Sequence, residues 1–361
     1  MIIFIVIVSL SVLILAHEMG HFAAAKFFNV KVEEFGFGYP PRLLSRKFGE
    51  TTYSINLLPL GGFVHISGED EEAEHGAAIE KGETHAIDKT RSFKSQALWK
   101  RVIILSAGVF MNIVAGWIVF SVVFMAGSPP HLIVSEVVAN SPAAEAGLQA
   151  NDIIVSAHIG KSIFSEPIAN DEFVAAVKKV AGTEISLDIM RGDKTQTFKV
   201  LSRAHPPVGQ GAMGIALDEI GIEKAPFFTA IGKGFIASMD VFWQTAKGFY
   251  TVIKGVFSSP SGALQGVAGP VGIFSIATQT GKLGFVYLFQ LVALISLNLA
   301  ALNFFPFPAL DGGRILFLII EKIKGSPVPR TFEQVTNAIG FAALMILMII
   351  VTIHDIAKIL H

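Results

Sequence analysis

Residues 1–28 read MIIFIVIVSLSVLILAHEMGHFAAAKFF. No charged side chain precedes His17, and the apolar character resumes after His17-Glu18-Met19-Gly20-His21 and lasts to Phe28. At about 1.5 Å per residue, a helix of this length reaches about 42 Å, enough to cross a hydrocarbon core with some tilt. A cleaved leader would carry early basic residues and a small-residue cleavage site. Here no Lys or Arg comes early, and the run continues past Phe22-Ala23-Ala24-Ala25. An uncleaved membrane helix is expected.

The polar island inside that helix has a chemistry. Positions i and i+4 share one helix face, so His17 and His21 can reach a single tetrahedral ion. Glu18 projects beside them, where it can take a proton from a water that the ion activates. An ionisable residue at this depth costs about 2.5–3.5 kcal/mol on insertion scales, which makes function the default reading. Polar packing against another helix does not explain two histidines and a glutamate at ligand spacing. A catalytic zinc needs a third protein ligand and an open position. The candidate is Asp311, in Asn303-Phe304-Phe305-Pro306-Phe307-Pro308-Ala309-Leu310-Asp311-Gly312-Gly313. Pro306 and Pro308 break the helix, and the two glycines let backbone come close to an ion. The ligand types leave other divalent metals open.

The rest of the composition agrees with a membrane protein. Of 361 residues, 52% are hydrophobic and 16% charged, against about 25% charged in a soluble domain. Further apolar blocks run from about Val102 to Ala126, Phe285 to Phe307 and Ala338 to Ile353, so four crossings put both termini on one side. The net charge of −1 points to no nucleic-acid partner. With no cysteine, disulfides, thiolate metal ligands and thiol nucleophiles are excluded. Lys26, Lys31, Arg42, Arg46 and Lys47 follow the first block, and Lys94, Lys100 and Arg101 precede the second. Arg314, Lys322, Lys324 and Arg330 lie between the third and fourth. The excess of basic residues puts both short loops in the cytoplasm and residues 127–284 outside.

The first loop holds two alternating stretches, Lys31 to Phe37 and Thr51 to Ile66, with bends at Gly36, Gly38, Pro40, Pro41, Gly61 and Gly62. They read as a β-hairpin near the membrane. Glu69 to Thr90 is acidic and reads as a solvated loop. In the outer segment, Leu132 to Val138 precedes Ser141-Pro142-Ala143-Ala144-Glu145-Ala146-Gly147-Leu148 and Asp152-Ile153-Ile154. A helix at Asp171 to Val180 and strands at Ile185 to Met190 and Gln196 to Leu201 follow. This order resembles a bacterial PDZ domain, with Asn151 where that family usually has Gly and His158 within the usual turn. From Phe228 to Val256, apolar residues recur at steps of three and four, the pattern of an amphipathic helix. Its Phe and Trp content favours the membrane surface over core packing. Gly269-Pro270-Val271-Gly272-Ile273 reads as a shaped turn.

Taken together, these stretches resemble the site-2 protease family of intramembrane metalloproteases, and within it the bacterial regulator-of-sigma-E protease group. The resemblance rests on His17–His21, Phe35–Gly38, Leu58–Phe63, Phe93, Trp99, Arg101, Gly108, Asn112, the PDZ-like segment, Gly269–Ile273 and Asn303–Gly313. It departs at Val109, where proline is common, and in having one PDZ-like domain where some relatives have two.

The implied fold is a polytopic α-helical membrane protein with about four transmembrane helices, a membrane-associated β-hairpin and one extracytoplasmic PDZ-like domain. The expected division places the first membrane helix at 1–28, a cytoplasmic loop with the hairpin at 29–96 and the second helix at 97–127. The PDZ-like domain follows at 130–204, the amphipathic helix and Gly-Pro-Val-Gly-Ile loop at 205–284, the third helix at 285–325 and the fourth at 334–360.

The implied activity is zinc-dependent hydrolysis of peptide bonds in or near the membrane segments of single-pass proteins. Anti-sigma factors and remnant signal peptides are the family's examples of such regulated intramembrane proteolysis. The implied location is a bacterial inner membrane, with zinc toward the cytoplasmic side and the lipid bilayer as surroundings. A peptide or protein ligand is expected on the PDZ-like domain. Substrate contacts are expected at Asn298, Asn303, Pro306, Pro308, Gly61 and Gly62, while Asn298 and Asn303 read equally well as helix–helix hydrogen bonds. A silent membrane scaffold and a metal transporter are the rivals. Intact Glu18 argues against the first, and the lack of an internal repeat against the second.

Overall fold

The computed structural model describes residues 2–69, 89–165, 168–191, 194–207, 209–258 and 269–360. The expected acidic loop thus lies almost wholly outside the described residues. The chain divides into two compact units, one of 1–122 with 227–361 and one of 123–226.

The first unit is built on apolar helices: α1 (Ile2–Phe27), α2 (Leu98–Ala126), α7 (Phe285–Phe304) and α9 (Arg330–Leu360). Among the described residues, four stretches, Phe4–Phe27, Leu98–Ala126, Phe285–Phe304 and Arg330–Ala357, are long and apolar enough to cross a membrane. With no water in hydrocarbon, a backbone satisfied within its own helix is what such sequences require. The chain is a polytopic membrane protein.

Small residues set how closely these helices pack. A methyl group on Gly20 of α1 would lie 2.3 Å from the Ala107 carbonyl oxygen of α2, so the two backbones touch there. Gly116 of α2 receives the Leu297 side chain of α7 in the same way. Between α1 and α2 the chain forms β1 (Val32–Phe48) and β2 (Thr51–Ile66), an antiparallel pair with repeated register shifts. Its base is pinned by Val30, Val32 and Ile66, which pack with Phe93, Ala25, Ile104, Leu105 and Leu318. At its turn, Glu50 accepts from Arg91 at 2.7 and 2.9 Å and from Lys26 at 2.6 Å.

α5 (Phe227–Ser258) does not follow the membrane-surface expectation. It runs along α2 and α7: Trp117 Nε1 donates to the Ile231 carbonyl at 3.0 Å, and Phe242 packs with Val109, Ala300 and Ala301. Farther on, Phe249 meets Phe305 at 4.8 Å. Gly234 and Ser238 explain the outcome, because a side chain at Gly234 would strike Ser121 at 2.5 Å. A small-residue strip gives helix packing that the aromatic content of the sequence hid.

The Gly-Pro-Val-Gly-Ile stretch is also not a turn. Pro270 opens α6 (Pro270–Leu283), with Gly269 as its cap, in keeping with proline's fit to a first helical position. Asp355 of α9, 5% exposed, accepts from the Gly272 N–H at 2.7 Å. The expected third helix over 285–325 is two helices, because residues 305–310 reverse the chain before α8 (Asp311–Lys324).

The second unit holds a sheet in the order β7-β6-β4-β3-β8, with β5 paired to β4. The strands are β3 (Ser128–Val137), β4 (Ile153–Ile159), β5 (Ser162–Ser165), β6 (Glu184–Arg191), β7 (Lys194–Leu201) and β8 (Ile215–Ile222). α3 (Pro142–Glu145) and α4 (Asn170–Lys179) complete it. Phe173 of α4 is fully buried with Leu132, Ile154, Ile185, Leu187 and Ile189 of the sheet. The unit extends past the expected 130–204 because β8 pairs with β3 along its whole length. Asn151 has φ 72°, a left-handed conformation that asparagine adopts more readily than other side chains, so it can stand where glycine is usual. His158 lies within β4, and Gly160 (φ 61°) makes the turn instead.

Two expectations follow. Arg91 first, then Lys26, hold the Glu50 carboxyl down to about 2 from an ordinary 4.5. A lowered folded-state value gives stability that is present above about pH 4.5 and lost as pH falls toward 2. In Glu50→Gln, acid titration of thermal stability should therefore lose part of its slope in that window, and an unchanged slope would dismiss the contact. Asp355→Ala leaves the Gly272 N–H without its acceptor and should cost about 1–3 kcal/mol, read as a lower melting midpoint in detergent, with Asp355→Asn losing less.

Candidate metal centre

Three candidate ligand side chains come from two distant parts of the chain. His17 and His21 stand one turn apart on α1, and Asp311 is the first residue of α8. One ligand atom from each lies within 4.8 Å of the other two. His17 Nε2 is 3.1 Å and His21 Nε2 3.5 Å from Asp311 Oδ2, and the two Nε2 atoms are 3.2 Å apart. Both histidines are buried.

The bend between α7 and α8 delivers the carboxylate. Methyl groups on Gly312 and Gly313 would each lie 2.2 Å from a carbonyl oxygen of the bend, at Phe305 and Phe307. Ala309 adopts φ 73° there, a conformation costing an L-residue about 1–2 kcal/mol. Its N–H donates to Asn337 Oδ1 of α9 at 3.1 Å, and Pro308 packs on Gly340 of the same helix.

The donor set fits a divalent cation. His21 Nδ1 lies 2.8 Å from the Ile104 carbonyl oxygen, which can only accept. That nitrogen therefore carries the ring proton, and Nε2 presents a lone pair toward Asp311. Asp311 Oδ2 is buried without a hydrogen-bond partner among the described residues. Electron-rich atoms this close repel one another unless a cation sits among them. Room exists on the α2 side, where a methyl group on Gly108 would lie 2.3 Å from His21 Nε2 and 2.8 Å from His17 Nε2.

Glu18 is half-buried beside the cluster, within electrostatic reach of His17, His21, Asp311 and Arg314. Strand β2 crosses it: a methyl group on Gly62 would come within 3.3 Å of Glu18 Cγ. Gly61, at φ 132°, leaves space for the Tyr39 ring. Asn303 is brought in as well, with Nδ2 3.5 Å from His17 Nε2. Asn298 is exposed and accepts from Thr245 Oγ1 of α5 at 2.6 Å, a helix–helix hydrogen bond. Pro306 is exposed and Pro308 half-buried in the bend.

Ligand spacing in the sequence did not find Gly20, Gly108 or the Ile104 carbonyl. Gly108 and Asn112 entered only through resemblance, although their spacing of four already puts them on one face of α2.

Two imidazoles and a glutamate on a membrane-length helix, met by a carboxylate at the start of α8, define a metallopeptidase of the membrane. Residues 5–347 match the model described as Peptidase family M50, and the chain belongs to that family. Bacillus subtilis regulator of sigma-W protease RasP is 29% identical over 422 residues, covering 98% of this chain and 97% of its own. Zinc metalloprotease RasP of Shouchella clausii is 30% identical over 420 residues, with 96% and 97% covered. A Clostridium perfringens protein, whose name marks it as a candidate zinc metalloprotease, is 32% identical over 352 residues, with 97% of each chain covered.

Gly108→Ala presses a methyl group against the Nε2 atoms of both histidines. Metal affinity should fall by more than the ~10–100-fold typical of disturbing a ligand's outer partners. Chelator competition on the purified protein measures it, and wild-type affinity would move the ion away from Gly108.

Proposed function

We propose that the protein is an intramembrane zinc protease that cuts single-pass membrane proteins in or near their membrane segments. The convergence of His17, His21 and Asp311 beside Glu18 carries this reading, and relatives named as zinc metalloproteases support the choice of metal. His17, His21 and Asp311 would hold the zinc, which would supply Lewis acidity toward a water and the scissile carbonyl. Glu18 accepts the proton of the attacking water and returns it to the leaving amine. Asn303, next to His17, is placed to donate from Nδ2 to the substrate carbonyl.

A helical amide is already hydrogen-bonded and shielded, so the substrate must be extended locally. The β1–β2 pair serves this step as the edge to which an unwound segment adds, a mode needing only backbone pairing. The approach of Gly62 to Glu18 supports it, since a methyl group at Gly62 would come within 3.3 Å of Glu18 Cγ. Asn298 is left out of this assignment, because its amide is engaged by Thr245.

The excess of basic residues supports a cytoplasmic side for the hairpin and an outer side for residues 127–284, across the bacterial inner membrane that the family resemblance implies. The second unit acts there as a PDZ-like module that takes a peptide or screens substrates by size. Its Ser141-Pro142 cap, in which Ser141 Oγ accepts from the Ala144 N–H at 3.2 Å, and the Phe173-centred core support that reading. Anti-sigma factors and remnant signal peptides are the substrate classes to try first, the former because one relative is named for regulating sigma-W.

The test uses a model single-pass substrate and purified protein in detergent. Glu18→Gln should lose about 10²–10⁴-fold in rate while keeping its zinc, and a chelator should stop wild type until zinc is returned. Cleavage that survives both treatments would refute the mechanism.

A further inference from the structure

One buried polar side chain beside the metal centre has no part in the reaction as derived. Asn112 of α2 is 1% exposed, and its amide lies against the back of His17, with Nδ2 3.3 Å from Nδ1. Its Oδ1 is buried with no hydrogen-bond partner among the described residues. Its backbone carbonyl accepts from Ser296 Oγ of α7 at 2.8 Å, which ties this turn of α2 to α7.

The ring chemistry of His17 decides what that amide must do. His17 faces Asp311 and His21 with Nε2, so Nε2 is its ligand atom and Nδ1 carries the proton. An N–H facing the amide NH2 is donor against donor, while the amide oxygen is left without a donor. Turning the amide end for end resolves both faults with one hydrogen bond, Nδ1–H to Oδ1. The second imidazole is held in this way by the Ile104 carbonyl, 2.8 Å from His21 Nδ1. Acceptors behind ligand imidazoles fix the tautomer and raise ligand basicity.

We propose that Asn112 is a positioning residue, whose amide oxygen accepts from His17 Nδ1–H and so fixes His17 in the tautomer that offers Nε2 to the metal. Together with the Ile104 carbonyl it makes α2 the common backing of both histidine ligands, which acts on the metal through the rings and never touches substrate. The inference rests on the zinc reading above.

Two measurements on the full chain in detergent test it. The first is zinc affinity by chelator competition, compared among wild type, Asn112→Leu and Asn112→Asp. Leucine keeps the volume and removes the acceptor, so affinity should fall ~10–100-fold. Aspartate keeps an acceptor oxygen and should hold affinity near wild type. A packing role predicts the reverse order, since leucine suits an apolar helix contact and a buried carboxylate does not. Equal affinity in wild type and Asn112→Leu overturns the proposal while leaving the zinc site standing, and so does an Asn112→Asp variant as weak as Asn112→Leu. Wild type that binds no zinc overturns both.

The second measurement needs no variant at Asn112 to fold. Ring-nitrogen NMR of 15N-histidine-labelled metal-free protein, with the His17 signals assigned by their loss in His17→Gln, should show His17 protonated at Nδ1. A proton on Nε2 overturns the assignment.

Discussion

Helix α1 meets α2 backbone to backbone at Gly20 and Ala107, leaving no room for a side chain at Gly20. In hydrocarbon there is no hydrophobic gain from bringing helices together, because lipid tails are as apolar as leucine. Association rests on close packing and on hydrogen bonds between helices. A helix carrying glycine at this position can approach until its neighbour's carbonyls come within reach of its side chains. That approach brings the Ile104 carbonyl to His21 and the Asn112 amide to His17. Gly108, on the same stretch of α2, keeps the approach from filling the site with a side chain.

The carboxylate arrives under a different constraint. A straight continuation of α7 would carry Asp311 about 10 Å beyond Phe304, at about 1.5 Å per residue. The bend at 305–310 turns the chain back, and it depends on glycines pressed against carbonyl oxygens and on an alanine held at positive φ. α9 supports this strained segment from outside through Asn337 and Gly340. The same helix reaches α6 through Asp355. α9 therefore braces both the bend that carries Asp311 and the start of a helix that packs on α1, through contacts far apart on its own length.

Some local rules hold throughout. The apolar blocks, the i and i+4 pairing of His17 with His21, and the Pro and Gly punctuation around Asp311 are written in short stretches, because each follows from one helix's geometry or one residue's backbone. The Ser141 cap and the left-handed Asn151 are of the same kind. Two stretches misled for physical reasons. Aromatic content made the helix from Phe227 look like a surface element, whereas its Gly234 and Ser238 fit it against Ser121 and its neighbours. Gly269-Pro270 looked like a turn, since the same two residues that end helices also start them.

The sequence by itself determined a polytopic membrane protein, the helix carrying two imidazoles and a glutamate, and the carboxylate that would join them. These are properties of hydropathy, helical period and ligand type, and no distant partner alters them. Tertiary structure alone decided which asparagine faces the metal centre and which pairs helices, since Asn298 and Asn303 differ only in what packs opposite them. It also decided that Asn112 and the Ile104 carbonyl stand behind the histidines and that Gly62 lies over Glu18. A side chain's period shows the face on which it lies, but its role depends on what that face meets.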